Sequence, residues 1–183
     1  MNHEKAMELL KKYNKNEALI KHALFVEGAM RYFADRKGHD PDYWGVVGLL
    51  HDIDYELYPE EHCKKSEEIL KEEGVSEDII HAVISHGWKI CSDVEPKLEM
   101  EKVLYTIDEL TGLIYAASLM RPDKDINNMK VKSVKKKFKS KGFAAGVNRE
   151  TILEGCKMIN MELNEVIEWT IEGMKQVDTE NRC

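Results

Sequence analysis

The feature that most constrains this chain is the spacing of its apolar residues, which recur at intervals of three and four throughout, with almost no β-branched alternation. That period follows one face of an α-helix and fits no strand, so the sequence predicts an all-α fold, a single-domain bundle of about eight or nine helices joined by short turns. Helices are expected over about His3 to Tyr13 and Asn16 to Lys37, the second stopped by Gly38 where a left-handed cap favours glycine. Asp40-Pro41 places a cap residue before a proline at the first helical position and opens a third helix, which runs to His51-Asp52. Asp54 to Glu61, with Pro59, reads as a loop. A fourth helix is expected from about Glu61 to Glu73, and a fifth opens at Ser76 and ends near Gly87. After a loop from Lys89 to Lys97, a long helix covers about Leu98 to Met120 and stops before Pro122. A lysine-rich segment, a loop from Gly142 to Asn148, and helices over about Arg149 to Ile159 and Glu162 to Val177 complete the chain, with no internal repeat.

At 183 residues, a domain typically buries roughly 70% of the surface its unfolded chain exposes, so a metal here needs a functional reason rather than a stabilising one. Cys63, Cys91, Cys156 and Cys183 are widely separated, with no C-x-x-C pair, which fits free thiols in a reducing compartment. Met1 to Lys12 holds no apolar stretch of signal-peptide length, and the longest uncharged apolar run nearby is Val46 to Leu50. The expectation is a soluble cytoplasmic protein with no membrane partner.

A net charge of −7 argues against extended nucleic acid, whose phosphates demand a cationic surface. The charge is uneven, however. Between residues 121 and 141 there are nine basic side chains and only Asp123 and Asp125 as acids, a local +7 in a remainder of −14. Val131, Val134 and Phe138 are spaced as the apolar stripe of an amphipathic helix, so these lysines have two readings. They form a solvated face, or they lie over a site and attract an anion.

Polar residues interrupt the apolar pattern at a few places. His22 falls on the stripe Leu19, Ala23, Val26, Met30, Phe33, where a lone histidine is more often a satisfied core residue than a ligand. His51-Asp52 ends an almost wholly apolar helix, and burying an ionised carboxylate requires a cation or neutralisation. Asp108 shares a face with Leu104, Thr111, Tyr115 and Ser118, while Glu109 is more simply a solvated residue, and Asp54 and Glu56 fit either description. Two buried carboxylates and two buried histidines from three helices satisfy one another only by converging, and a divalent metal is the most economical cation for such a set. His62 lies on the side of Ser66 and Ile69, and His86 on the stripe of Ile79 and Val83. His81 reads as a surface histidine, and His3 and His39 have no functional case. Trp44, Tyr55, Tyr58 and Trp88 are near these residues in sequence and suit either a pocket wall or, for Trp44 above all, the core. Cys63 and Cys91 neighbour His62 and His86 without the thiol–base pairing that nucleophilic catalysis needs.

The order His22, His51-Asp52, Asp108 resembles the H…HD…D signature of the HD-domain metal-dependent phosphohydrolase superfamily. GLLHDID at Gly48 to Asp54 and YTIDELTG at Tyr105 to Gly112 supply similar context, and the run from His22 to Lys141 is similar to a small bacterial group of predicted HD hydrolases. The resemblance implies a metal-binding core over residues 22–108, and the basic segment over 121–141 and the C-terminal helices over 149–177, packed on that core, are expected to complete a single HD-type domain over 1–183. It implies that His22, His51, Asp52 and Asp108 bind one divalent ion, that Asp52 bridges to a second ion held by His62 and His86, and that Asp108 or Asp54 is a general base. Manganese, iron, nickel, cobalt, zinc and magnesium all remain open, as do one ion or two. Water bound to such an ion ionises near pH 7, about nine units below bulk water, which suits attack on a small phosphate ester or nucleotide as phosphomonoesterase or phosphodiesterase. One departure stands out. Where many members read HDIGK, this chain reads His51-Asp52-Ile53-Asp54-Tyr55, without the lysine that touches substrate phosphate. Arg121, Lys124, Lys135, Lys136 and Lys137 are the candidates to supply that charge. Two alternatives accompany the hydrolase: an oxygenase in which the same ligands hold two irons, and a non-catalytic regulatory domain in which metal only ties helices together. The oligomeric state is open.

Overall fold

The computed structural model describes residues 1–180, with side-chain surroundings through Val177, so Cys183 lies outside the described residues. It contains α1 (His3–Tyr13), α2 (Glu17–Lys37), α3 (Pro41–Leu50), α4 (Lys64–Glu72), α5 (Glu77–Ser85), α6 (Glu99–Leu119), α7 (Val131–Lys139), α8 (Arg149–Met158) and α9 (Leu163–Glu180). Among the described residues there is no strand, only an isolated bridge between Trp88 and Ser92 that closes the loop after α5. The boundaries follow local chemistry. The side chains of Asn2, Asn16, Asp40 and Asn148 accept from backbone N–H groups of α1, α2, α3 and α8, satisfying donors that have no partner inside the helix. Gly38 caps α2 at φ 74°.

The expected start of the fourth helix is corrected. Pro59–Glu61 forms a single 3-10 turn, His62 follows it outside any helix, and α4 begins only at Lys64. The buried Asp54 carboxylate explains the shift, because its Oδ2 accepts from the backbone N–H of Ser66 at 2.8 Å and so caps α4 from across the loop.

Helix α2 is the hub of the bundle. It packs against α3, α6 and α9, α8 packs on α6, and α7 lies against α6 and α9. Phe25, Met30, Phe33, Leu49, Leu50, Leu104, Leu110, Ile171 and Met174 belong to one continuous buried cluster. Helix α3 is buried from Trp44 to Leu50, which explains its almost unbroken apolar sequence. In α7 only Val134 and Phe138 are buried, so its lysines project away from the core. No described helix is long and apolar enough to cross a membrane.

The α2–α9 crossing depends on glycine. A Cβ at Gly173 would lie 2.5 Å from both Ala29 Cα and Gly28 O, backbone atoms that cannot rotate away. Gly173→Ala is therefore expected to destabilise the protein by about 1–3 kcal/mol despite the ~1 kcal/mol that alanine gains in helix propensity. Urea unfolding should show a lower midpoint with an unchanged slope, and an unchanged midpoint would contradict this account of the crossing.

Candidate metal centre

Five segments of the chain bring the polar residues to one place. His22 comes from the first half of α2, His51 and Asp52 from the end of α3, and Asp108 from the middle of α6. His62 comes from the segment before α4, and His86 closes α5. His51 Nε2 lies 3.2 Å from His22 Nε2 and 3.2 Å from Asp108 Oδ1, and His22 Nε2 lies 2.9 Å from that same oxygen. Asp52 Oδ2 faces this group, 3.3 Å from His51 Nε2 and 3.8 Å from His22 Nε2. The other oxygen faces a second group, since Asp52 Oδ1 is 3.3 Å from His62 Nε2 and 3.5 Å from His86 Nε2. Those two histidine nitrogens are 3.2 Å apart.

The hydrogen bonds behind the site fix which nitrogen of each ring points inward. His51 Nδ1 donates to the Gly48 carbonyl at 2.7 Å, His86 Nδ1 donates to the Val83 carbonyl, and His62 Nδ1 lies 2.7 Å from Asp54 Oδ1. Each ring thus leaves Nε2 for the centre, the arrangement by which metal-ligating histidines are held in one tautomer and orientation. Two pairs of Nε2 atoms facing each other at hydrogen-bond distance cannot be explained by neutral rings with both lone pairs aimed at each other. They require shared protons or a cation between them.

Electrostatics point the same way. Burial pushes the His51 imidazole down, but the Asp52 and Asp108 carboxylates beside it prevail and hold it well above its usual 6.5. Burial likewise raises Asp52 and Asp108, and the neighbouring histidines, His51 foremost, pull both well below the ordinary carboxylate range. His62 reaches about 8, burial lowering it and the bond to Asp54 raising it further. In the metal-free protein, protons on these histidines do the work that a divalent cation does when bound. The donor set is therefore chemically suited to a metal. The ligand atoms of His22, His51, Asp52 and Asp108 all lie within 4.8 Å of one another, as do those of Asp52, His62 and His86.

A cleft of about 370 Å³ opens onto the centre. Its walls include Leu19, Tyr55 and Ile90 on the apolar side, and Glu109 beside Asp108. Glu109 was expected to be solvated. Instead it is partly buried, accepts from the Asn148 N–H at 3.2 Å, and is pushed up to about 7 by burial and by the Asp108 charge. Periodicity alone cannot distinguish it, because it follows Asp108 directly and falls between the two faces of α6.

Several expected residues are not at the cleft. Asp54, a candidate general base, is fully buried and does not line the cleft; one of its oxygens lies beside His62 and the other accepts from the Ser66 N–H, so it is placed to orient His62. The basic segment also misses the cleft, since none of Arg121, Lys124, Lys135, Lys136 and Lys137 lines it. Arg121 makes two bonds to Asp123, at 2.9 and 2.8 Å, and Lys137 sits 4.5 Å from the Phe143 ring. The seating of Val134 and Phe138 decides this, turning the lysine face of α7 to solvent. Glu56 accepts from the N–H groups of Lys15 and Asn16 and so ties the loop after α3 to the turn between α1 and α2. His81, expected at the surface, is half-buried there and lies 2.8 Å from the buried Glu101.

An all-helical bundle whose histidines and aspartates converge with inward-facing Nε2 atoms defines a protein built to hold divalent metal. A family model described as HD domain matches residues 19–113, more than half of the chain, from the turn before His22 to just beyond Asp108. The chain belongs to the HD-domain family, a superfamily of metal-dependent hydrolases. No solved structure matches it.

Proposed function

We propose that this protein is a metal-dependent phosphohydrolase acting on a small phosphate ester or nucleotide. The observation that carries the reading is Asp52, whose two oxygens face two separate histidine groups at 3.3 Å each, the geometry of a carboxylate shared between adjacent metal positions. His22, His51, Asp52 and Asp108 would hold one ion, and Asp52, His62 and His86 a second. A divalent ion bound there supplies an activated water and polarises a phosphoryl oxygen.

The chain's own residues do the rest. Asp54, Gly48 and Val83 hold the ligand rings in orientation. Glu109, on the cleft wall next to Asp108, is the carboxylate placed to carry a proton to or from the reacting ester. Leu19, Tyr55 and Ile90 offer an apolar lip to the leaving group, and the cleft volume falls in the range of small-molecule sites. No lysine or arginine is among the cleft-lining residues, in keeping with the absent lysine after the His51-Asp52 pair, so a divalent ion held by these ligands would supply the positive charge that phosphate needs.

Two measurements test the reading. A panel of phosphomonoesters, phosphodiesters and nucleotides, assayed on protein reconstituted with each divalent metal, should reveal phosphate or alcohol release. Oxygen uptake by the iron form without hydrolysis would instead assign the oxygenase alternative, and no turnover with strong metal-dependent stabilisation would assign the regulatory one. Because none of these lysines lines the cleft, neutralising Lys135, Lys136 and Lys137 to glutamine together is expected to leave KM within about twofold of the parent, as distant surface changes do. A KM rising more than tenfold, with stronger salt dependence, would return those lysines to the site.

A further inference from the structure

We infer that Cys91 and Cys63 form a peroxide-oxidisable dithiol on the wall of the cleft, with Cys91 as the thiol that meets oxidant and Cys63 as the thiol that resolves it into a disulfide. Their Sγ atoms are 3.2 Å apart, Cys91 is exposed and lines the cleft, and Cys63 is buried behind it. The surroundings are shaped around this contact. A Cβ on Gly87 would lie 2.4 Å from Cys91 Sγ and 2.5 Å from Cys63 Sγ, so only glycine leaves room for both sulfurs. The Gly87 carbonyl accepts from the N–H groups of Ile90, Cys91 and Ser92, wrapping the loop so that Cys91 is returned to Gly87. Cys63 has φ 68°, a backbone conformation uncommon for a residue with a side chain and one that persists only where the surroundings enforce it.

The chemistry balances with hydrogen peroxide as the oxidant. Cys91 Sγ attacks one peroxide oxygen, an S–O bond forms as O–O breaks, and water leaves, giving the sulfenic acid. Cys63 Sγ then attacks the Cys91 sulfur, the S–S bond forms as S–O breaks, and the departing hydroxide takes the Cys63 proton as a second water. The sum is two thiols and one peroxide giving one disulfide and two waters. Since Cys63 adjoins His62 and Gly87 adjoins His86, the bond would tie together the two segments that carry those histidines.

The test is peptide mapping of the intact protein after mild peroxide, alkylation and tryptic digestion without reductant. Peptides 38–64 and 90–97 are expected to appear joined, two hydrogens lighter than their sum, and to separate on reduction. Cys63→Ser should leave Cys91 to proceed to the sulfinic acid, and Cys91→Ser should leave Cys63 alkylated. The cross-link should persist when Cys156 and Cys183 are both serine. Cys91 overoxidised in the parent while Cys63 remains alkylated, Cys91 joined instead to Cys156 or Cys183, or both thiols untouched would each overturn the inference.

Discussion

His51→Ala and Asp52→Ala are each expected to reduce metal-dependent turnover by more than about a hundredfold, beyond the 10–100-fold typical when a group merely behind a ligand is removed. His51 is fully buried, and its Nε2 lies within 3.3 Å of atoms from His22, Asp52 and Asp108, so its loss removes the donor common to the whole first group. Asp52 reaches both groups, so its loss disturbs both metal positions together. The variants separate by metal content. His62→Ala and His86→Ala touch only the second group and are expected to leave the first ion bound, whereas Asp52→Ala weakens both. Because removing one member of a buried charged set can cost several kcal/mol, Asp52→Asn, which keeps the shape and a hydrogen-bonding oxygen, serves as the check on folding. Activity within tenfold of the parent in folded His51→Ala protein would contradict the assignment.

The second large effect is the pH dependence of metal binding. In the metal-free protein His51 is held above its ordinary 6.5, so its contribution to stability is fully present below that value and fades as pH rises through the folded value. Asp52 and Asp108 are held below their ordinary 3.8, so their contribution is present above that value and fades as pH falls through the folded values. The network is therefore expected to stabilise the metal-free chain most between those limits. A metal must displace the histidine protons, that of His51 and that of His62, which persists to about 8. Apparent affinity should then rise about tenfold per pH unit for each proton displaced, through the neutral range, with protons released into solution on binding. Competition titrations from pH 6 to 8 measure this. An affinity independent of pH would mean that the histidines bind no metal.

The fold was legible in the sequence because its signals are local. Asn16, Asp40-Pro41 and Gly38 mark helix ends through bonds to nearby residues, and the three-and-four spacing marks the buried faces. The ordered residues His22, His51, Asp52, His62, His86 and Asp108 could be singled out because each interrupts an apolar face or follows one. What escaped depends on tertiary geometry. Asp54 became a helix cap and a histidine support only through contacts with residues 8 and 12 positions on. Glu109 is raised by its burial in the cleft wall and by the Asp108 charge, against the bond from the distant Asn148 N–H, which lowers it. The lysines of α7 carried a charge signal with no direction in it, and the direction came from where Val134 and Phe138 found their seats.

The most direct test of the central claim is metal stoichiometry at equilibrium. Protein stripped of metal, dialysed against excess manganese, iron or zinc and then freed of unbound ion is expected to retain divalent metal. Retention should fall in His51→Ala and Asp52→Ala and be unchanged in the Lys135, Lys136 and Lys137 variant. Metal retained equally by the parent and by folded His51→Ala and Asp52→Ala would show that the converging histidines and aspartates are not the metal centre.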